Sequence, residues 1–231
     1  MSDDRKITVL PVVGHENGGF VRLVDSMGDD LSIVRAARVS YDADWRAGDE
    51  SKDSKLISYL MKNHHTSPFE AVTFTFEVKA PIFVFRQWHR HRTWSYNEVS
   101  ARYTELDEGY YVPAPEQITT QSASNKQMRT NELHPHANSL AQFIDKQCYD
   151  AFEMYKLLIH RGCPRELARS VLPVAAYSRM FATIDLHNLF HFLRLRLHEH
   201  AQYEIRVYAQ AMLELINSIV PHSVTAFKET L

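Results

Sequence analysis

Between Val72 and Lys79 the chain alternates without a break, with Val72, Phe74, Phe76 and Val78 to one side and Thr73, Thr75, Glu77 and Lys79 to the other. A period of two fits a strand, because successive side chains there point to opposite faces. Further on the period changes. From Ala137 to Arg161 the apolar residues Leu140, Phe143, Ile144, Ala151, Phe152, Tyr155, Leu158 and Ile159 recur at helical spacing, and Gly162 ends the run. A strand with one apolar face and long amphipathic helices in the same chain give the fold class α+β, or α/β by looser labelling.

The other elements fit around these two. Ile7 to Val13 reads as a strand, Gly18-Gly19 as a turn and Phe20 to Asp25 as a second short strand. Gly28-Asp29-Asp30 caps a helix through Ala37. The charged stretch Asp42 to Ser54 is expected to be a loop, with a helix resuming over Lys55 to Lys62. Pro81 suits a first helical position, and a helix over Ile82 to Arg92 puts Gln87, Arg90 and His91 on one face. The stretch 113–136 carries Pro113, Pro115 and Pro135 and reads as a mobile surface excursion. Pro164 opens a helix limited by Pro173, and Tyr177 to Ile184 reads as a strand. Asp185 caps a helix over Leu186 to Arg196, and Ala201 to Val220 is a long helix stopped by Pro221. There is no internal repeat and no linker, so residues 1–231 are expected to form one domain.

Composition narrows the function classes. With 231 residues, 45% of them hydrophobic, and a net charge of -2, the chain has the profile of a soluble globular protein with a real core. A pI near 6.7 argues against general nucleic-acid binding. Cys148 and Cys163 are the only cysteines, which fits a reducing cytoplasm. No apolar run approaches membrane-spanning length, and the first residues are too polar for a signal peptide, so a cytoplasmic location without membrane attachment is expected.

Positive charge is instead concentrated locally. Arg86 to Tyr103 holds four arginines, two histidines and a single acid, Glu98, and no acid lies between Lys79 and Asn97. A guanidinium offers a planar fork suited to phosphate and carboxylate oxygens, so the run predicts a phosphorylated ligand. The interleaved Trp88, Trp94, Tyr96 and Tyr103 suggest a lined pocket rather than a wet face. Thirteen histidines invite a metal reading, yet no H-E-x-x-H occurs and the x-spaced pairs point apart on a helix, so no metal is expected. A G-x-S-x-G elbow, a P-loop and a G-x-G-x-x-G fingerprint are all missing, which speaks against a Rossmann fold.

The run Arg90-His91-Arg92-x-x-Ser95-x-Asn97-Glu98-x-Ser100-x-Arg102-Tyr103 closely resembles the signature of the flavin-dependent thymidylate synthases. The likeness continues through Arg35-Ala36-Ala37-Arg38-Val39-Ser40, Ser67-Pro68-Phe69-Glu70, Ala80-Pro81-Ile82-Phe83, Pro164-Arg165-Glu166-x-Ala168-Arg169 and Leu195-Arg196-x3-His200-Ala201-Gln202. The resemblance implies that family's fold, a central and mostly antiparallel sheet flanked by helices. It also implies a methyltransferase that converts dUMP to dTMP with 5,10-methylenetetrahydrofolate, FAD and NADPH, in a homotetramer whose sites are shared between subunits. By the same likeness Ser67, Arg90, His91, Arg92, Glu98, Asp185, His187 and His191 would contact FAD. Gln87, Trp88, His89, Arg90, Glu98, Val99, Ser100, Ala101, Arg102, Arg169 and Arg196 would hold dUMP. Arg196 is the residue assigned to chemistry, ionising uracil at N3, and Ser100 joins it by polarising the nucleotide without acting as a nucleophile.

Those roles agree with general chemistry, since a fixed guanidinium stabilises charge developing on a uracil ring and cations favour a reduced flavin. Arg35, Arg38 and Arg165 lie near acids or turns and read as structural ion pairs. Ala71 stands where the family often has histidine and Asp185 where asparagine is common, and the segment Gln121 to His136 has no family counterpart. Two other readings remain: a metal-dependent nucleotide phosphohydrolase that uses the histidine pairs and acids, and a non-catalytic nucleotide-binding module in which the same arginines hold a phosphate.

Overall fold

In the computed structural model, which describes residues 5–13, 18–40, 49–106 and 109–231, the alternating segment lies in the middle of the sheet. The chain runs β1 (Lys6–Leu10), β2 (Gly19–Met27), α1 (Asp30–Val39), α2 (Glu50–Lys62), β3 (Thr73–Pro81), α3 (Ile82–Trp88) and β4 (Ser95–Glu98). It continues through β5 (Thr119–Gln121), β6 (Arg129–Leu133), α4 (Ala137–His160), α5 (Arg165–Ala168), β7 (Tyr177–Asp185), α6 (Leu186–Arg196), α7 (Tyr203–Ile216) and α8 (Pro221–Lys228). Five strands form one antiparallel sheet in the order β1-β2-β3-β7-β4, so the fold is α+β. Among the described residues no helix is long and apolar enough to cross a membrane.

The register explains why the alternation is so strict. Phe74 pairs with Ile184, Phe76 with Ala182 and Val78 with Met180, which puts the apolar sides of β3 and β7 on one face. Val72, Phe74, Phe76 and Val78 are all completely buried there. The polar side forms its own ladder: Thr75 and Thr183 share a hydrogen bond of 2.9 Å, and Glu77 bridges Arg22 at 3.1 Å and Arg179 at 3.7 Å.

Helix starts follow the caps read from sequence. Asp29 accepts from the Ser32 N–H at 3.0 Å while Ser32 Oγ accepts from the Asp29 N–H at 3.2 Å, a complete capping box for α1. Gly28 before it has φ +80, and a Cβ there would lie 2.9 Å from the Ala71 carbonyl oxygen. Asp185 accepts from the Asn188 N–H at 2.9 Å and starts α6 as expected.

Four expectations need correction. β1 ends at Leu10, and Val13 joins Tyr110 only through an isolated bridge. Asp49 to Ser54 is not loop: Asp49 caps α2 and Asp53 pairs with Arg38, so charges that look solvated in sequence make the first turn of a helix. The remainder of that predicted loop, 42–48, lies outside the described residues. The helix over Ala201 to Val220 is shorter, and Pro221 opens α8 rather than merely ending its predecessor. Pro tolerates the N1 position, and the Asp30 carboxylate accepts from the N–H groups of His222 (2.8 Å) and Ser223 (3.1 Å). Finally, α3 stops at Trp88 instead of running to Arg92.

The cause of that early stop is aromatic. Trp88 is fully buried and stacks on Phe192 at 4.9 Å, and Trp94 meets both rings, at 5.7 Å and 5.3 Å. Burying Trp94 requires the chain to turn back, and the Tyr96 hydroxyl seals the turn by donating to the carbonyls of His91 (3.0 Å) and Trp88 (3.3 Å). The tryptophans therefore anchor the arginine run to the core rather than line a pocket, while Tyr103 is exposed. Removing such a ring costs roughly 3–5 kcal/mol.

Within 113–136, β5 and β6 pair as a hairpin, with Thr120 and Thr130 hydroxyls 2.6 Å apart.

Candidate active site

The turn after α3 divides the arginine run between two places. On one side lies a cleft of ≈ 720 Å³, lined by Ile82, Phe85 and Arg86 from α3, by His89 just after it, and by Glu98 at the end of β4 with Val99, Ser100 and Ala101 beyond it. Its opposite wall comes from Glu166, Arg169, Ser170 and Leu172 to Val174. Val99 is held by its N–H on the Arg179 carbonyl at 2.8 Å, which fixes the backbone beside the cleft. Ser100 Oγ accepts from the Arg102 N–H at 3.3 Å, so its own hydrogen remains available to a ligand. Among the described residues none accepts that proton, and a serine without a base is a poor nucleophile. Arg102 is exposed and reaches Glu166 at 3.6 Å, and Arg169 Nε donates to the Glu166 carbonyl at 3.3 Å.

Gln87 leaves α3 on the other side, and there a second cluster forms. Arg196, at the end of α6, donates from Nε to His91 Nε2 at 2.9 Å and from Nη2 to the Gln87 carbonyl at 3.3 Å. The Gln87 amide donates in turn to Gln202 Oε1. Nη1 of Arg196 takes no partner among the described residues. Because His91 Nε2 accepts a hydrogen bond, the imidazole is neutral with its proton on Nδ1. Burial, with Arg196 and then His191 adding their charge, pushes its pKa down to about 4. Burial also lowers the pKa of Arg196.

A third feature is a small cavity of ≈ 180 Å³ lined by His64, Thr66, Phe69, His187 and His191 among others, and the His191 ring lies 6.3 Å from that of His91. Ser67 follows Thr66 at the start of a short 3-10 turn.

Of the residues assigned from sequence, His89, Glu98, Val99, Ser100, Ala101 and Arg169 meet in the large cleft. Gln87, His91 and Arg196 meet in the second cluster, and His187 and His191 in the small cavity. Trp88 belongs to none of the three, since its ring is core. Asp185 is committed to the α6 cap through Asn188, at 2.9 Å and 2.7 Å. Arg86, Arg90 and Arg92 are exposed and form no ion pair with a described residue, which leaves an unmatched positive surface suited to phosphate. Arg38 and Arg165 pair with Asp53 and Glu105, as the structural reading of them expects.

Sequence reasoning assigned no role to Arg86, Ser170, Leu172 to Val174 and Ser178 in the cleft wall or to Gln202 beside Arg196. Gln202 had a signal, because it closes the motif that carries Arg196. The cleft wall had none, because a helix limited by Pro173 says nothing about which side it turns inward.

This geometry can now be set beside known proteins. Residues 22–222 match the family model for thymidylate synthase complementing protein, and the chain belongs to that family. It is 49% identical over 212 residues to a flavin-dependent thymidylate synthase of Treponema denticola, covering 91% of this chain and 79% of that one. A flavin-dependent thymidylate synthase of Thermus thermophilus is 50% identical over 214 residues, covering 92% and 77%. Among solved structures, the UMP/dUMP methylase PolB from Streptomyces cacaoi, bound with 5-Br dUMP, superposes with a TM-score of 0.83 at 38% identity, covering 90% of this chain and 94% of that one.

Proposed function

We propose that this protein is a cytoplasmic flavin-dependent thymidylate synthase that converts dUMP to dTMP, taking the carbon from 5,10-methylenetetrahydrofolate and using FAD reduced by NADPH. The observation that carries the reading is the cleft around Glu98, Ser100 and Arg169, in a chain 49–50% identical to proteins of that name over 91–92% of its length. Arg90 and Arg92, which form no ion pair with a described residue, and the cavity at His187 and His191 fit the phosphates and ring of a flavin nucleotide. When bound, FAD supplies the hydride.

The chain's own residues prepare the uracil ring. Carbon 5 becomes nucleophilic only when negative charge spreads over N3 and the ring oxygens. Arg196 is built for that: Nε and Nη2 are tied to His91 and Gln87, so its free Nη1 is presented at a set angle. A donor fixed in advance needs no reorganisation as charge develops. Ser100 donates to the nucleotide, while Arg102 and Arg169 flank it as phosphate-binding cations. Arg196 does not line the cleft of its own chain. We therefore propose a homotetramer in which the Arg196 cluster of one subunit completes the Ser100 cleft of another.

The direct test is thymidylate formation by purified protein with and without FAD. Activity that depends on FAD supports the reading, and no dTMP with every substrate present sinks it. For the shared site, Arg90→Ala and Arg196→Ala subunits are refolded together. Restored activity is expected, and mixed tetramers that stay inactive would place both residues in one chain's site.

A further inference from the structure

The hairpin of β5 and β6 touches the Arg196 cluster through a short chain of bonds. Arg129, at the start of β6, donates from Nη2 to Glu204 Oε1 at 3.2 Å and from Nη1 to the Gln117 carbonyl at 3.0 Å, and its guanidinium lies 5.7 Å from the Tyr203 ring. Glu204 is only 3% exposed. Its other donor is the Tyr111 hydroxyl at 3.2 Å, and its Oε2 has no partner among the described residues. Tyr203 and Glu204 are in the first turn of α7, and Gln202 stands at its N-cap position without a side-chain bond to the helix. Gln202 Oε1 receives the Gln87 amide, and the Gln87 carbonyl receives Arg196 Nη2 at 3.3 Å.

We infer that Arg129 is a positioning residue for Arg196, acting from the hairpin through Glu204, Gln202 and Gln87. A buried carboxylate left without its cation must take up a proton or move toward water. Tyr111 cannot compensate, because it is neutral, and burial and Glu204 hold its hydroxyl proton more firmly still. Either response of Glu204 disturbs the turn that sets Gln202, and the disturbance reaches the fork that Gln87 steadies. The hairpin is thus a brace for the α6–α7 junction rather than a surface ornament. The inference rests on the proposed synthase activity only where turnover is read.

The test uses the full chain, labelled with 15N histidine, as wild type, Arg129→Ala, Arg129→Lys and Lys126→Ala, with the His91 signal assigned by His91→Gln. In wild type His91 is expected to titrate near about 4, because burial, Arg196 and His191 all disfavour its charged form. Arg129→Ala should raise that midpoint, since a displaced Arg196 no longer lowers it. Lys126, exposed at the hairpin tip, is the control and should change nothing. Turnover of dUMP at saturation should fall roughly 10–100-fold in Arg129→Ala with little change in KM, a loss of the size that small misplacement produces. The deficit should narrow at alkaline pH, where uracil ionises with less help. A folded Arg129→Ala with an unmoved His91 signal overturns the inference. If that variant does not fold, Arg129→Lys, which keeps the charge but loses the fork, decides in the same way. A shifted His91 signal in a protein whose wild type makes no dTMP would leave the coupling standing and reject the synthase reading instead.

Discussion

The two parts of the candidate site are built on opposite plans. Around Arg196 the side chains, apart from the exposed Gln202, are half-buried or buried, and they satisfy one another: guanidinium on imidazole, guanidinium on carbonyl, amide on amide. Around the half-buried Ser100 the charged groups are exposed and loosely held, with Arg102 and Glu166 3.6 Å apart and no ion pair to Arg86 among the described residues. A group that must stabilise charge as it appears gains from being fixed beforehand, whereas a group that must admit and release a nucleotide gains from being wet and mobile. The aromatic anchor between them allows both. Trp88 and Trp94 lock the turn to the core, so one short run of sequence can send Gln87 and His91 one way and Ser100 the other.

Breaking the fixed side should have the largest effect. Arg196→Lys keeps a charge but replaces a fork with a point, so the bonds to His91 and Gln87 cannot both be kept while a donor is presented. Flavin binding and folding should survive, and kcat should fall by about 10²–10³, the usual loss when one preorganised donor is removed. Near wild-type turnover at saturating dUMP would mean that the Arg196 cluster is structural.

The same side should also respond to acid. His91 is held neutral down to about pH 4, whereas an unfolded chain protonates near the ordinary value of 6.5. Between those limits the unfolded state binds more protons, so stability must decline as pH falls through the window and level off below about 4. The full effect is on the order of 3 kcal/mol. Thermal melts of wild type and His91→Gln from neutral pH downward would show it, with the wild type losing more. Parallel curves would mean that His91 is not held neutral.

How much of this could be read in the sequence depended on where the information lies. The strand at Val72 to Lys79, the caps at Asp29 and Asp185 and the run around Ser100 are local patterns, and the structure keeps all of them. The end of α3 was not legible, because the competing demand came from Phe192, more than a hundred residues away in the chain. The same holds for Pro221, whose helix depends on the distant carboxylate of Asp30. Charged residues misled in the same sense: Asp49 to Ser54 reads as a loop until Arg38 supplies a partner, and the stretch 113–136 reads as a surface excursion although its Arg129 reaches the buried Glu204.

On the open side, Ser100→Ala should cost less than Arg196→Lys. The hydroxyl accepts from the Arg102 N–H and offers one hydrogen to the nucleotide, so its loss removes two contacts worth about 0.5–1.5 kcal/mol each, and dTMP formation should persist. Complete inactivity with intact dUMP binding would contradict a positioning role and argue for a covalent one.

The smallest effect should come from the ion pair itself. Arg102 and Glu166 are both more than half exposed and sit at 3.6 Å, so water already screens them. Glu166→Gln should therefore change stability by less than about 1 kcal/mol, a shift of no more than a few degrees in Tm. Its effect on ligand should run the other way. With Arg102 as the proposed phosphate-binding cation, Glu166 competes with the nucleotide for it, so removing its charge should tighten dUMP binding modestly, and the gain should shrink as salt is raised. Calorimetric titration at two ionic strengths, beside a thermal melt, separates the two quantities. A large drop in Tm, or weaker dUMP binding at both ionic strengths, would show that Glu166 organises the cleft as His91 organises the cluster, and the contrast between the two sides would disappear.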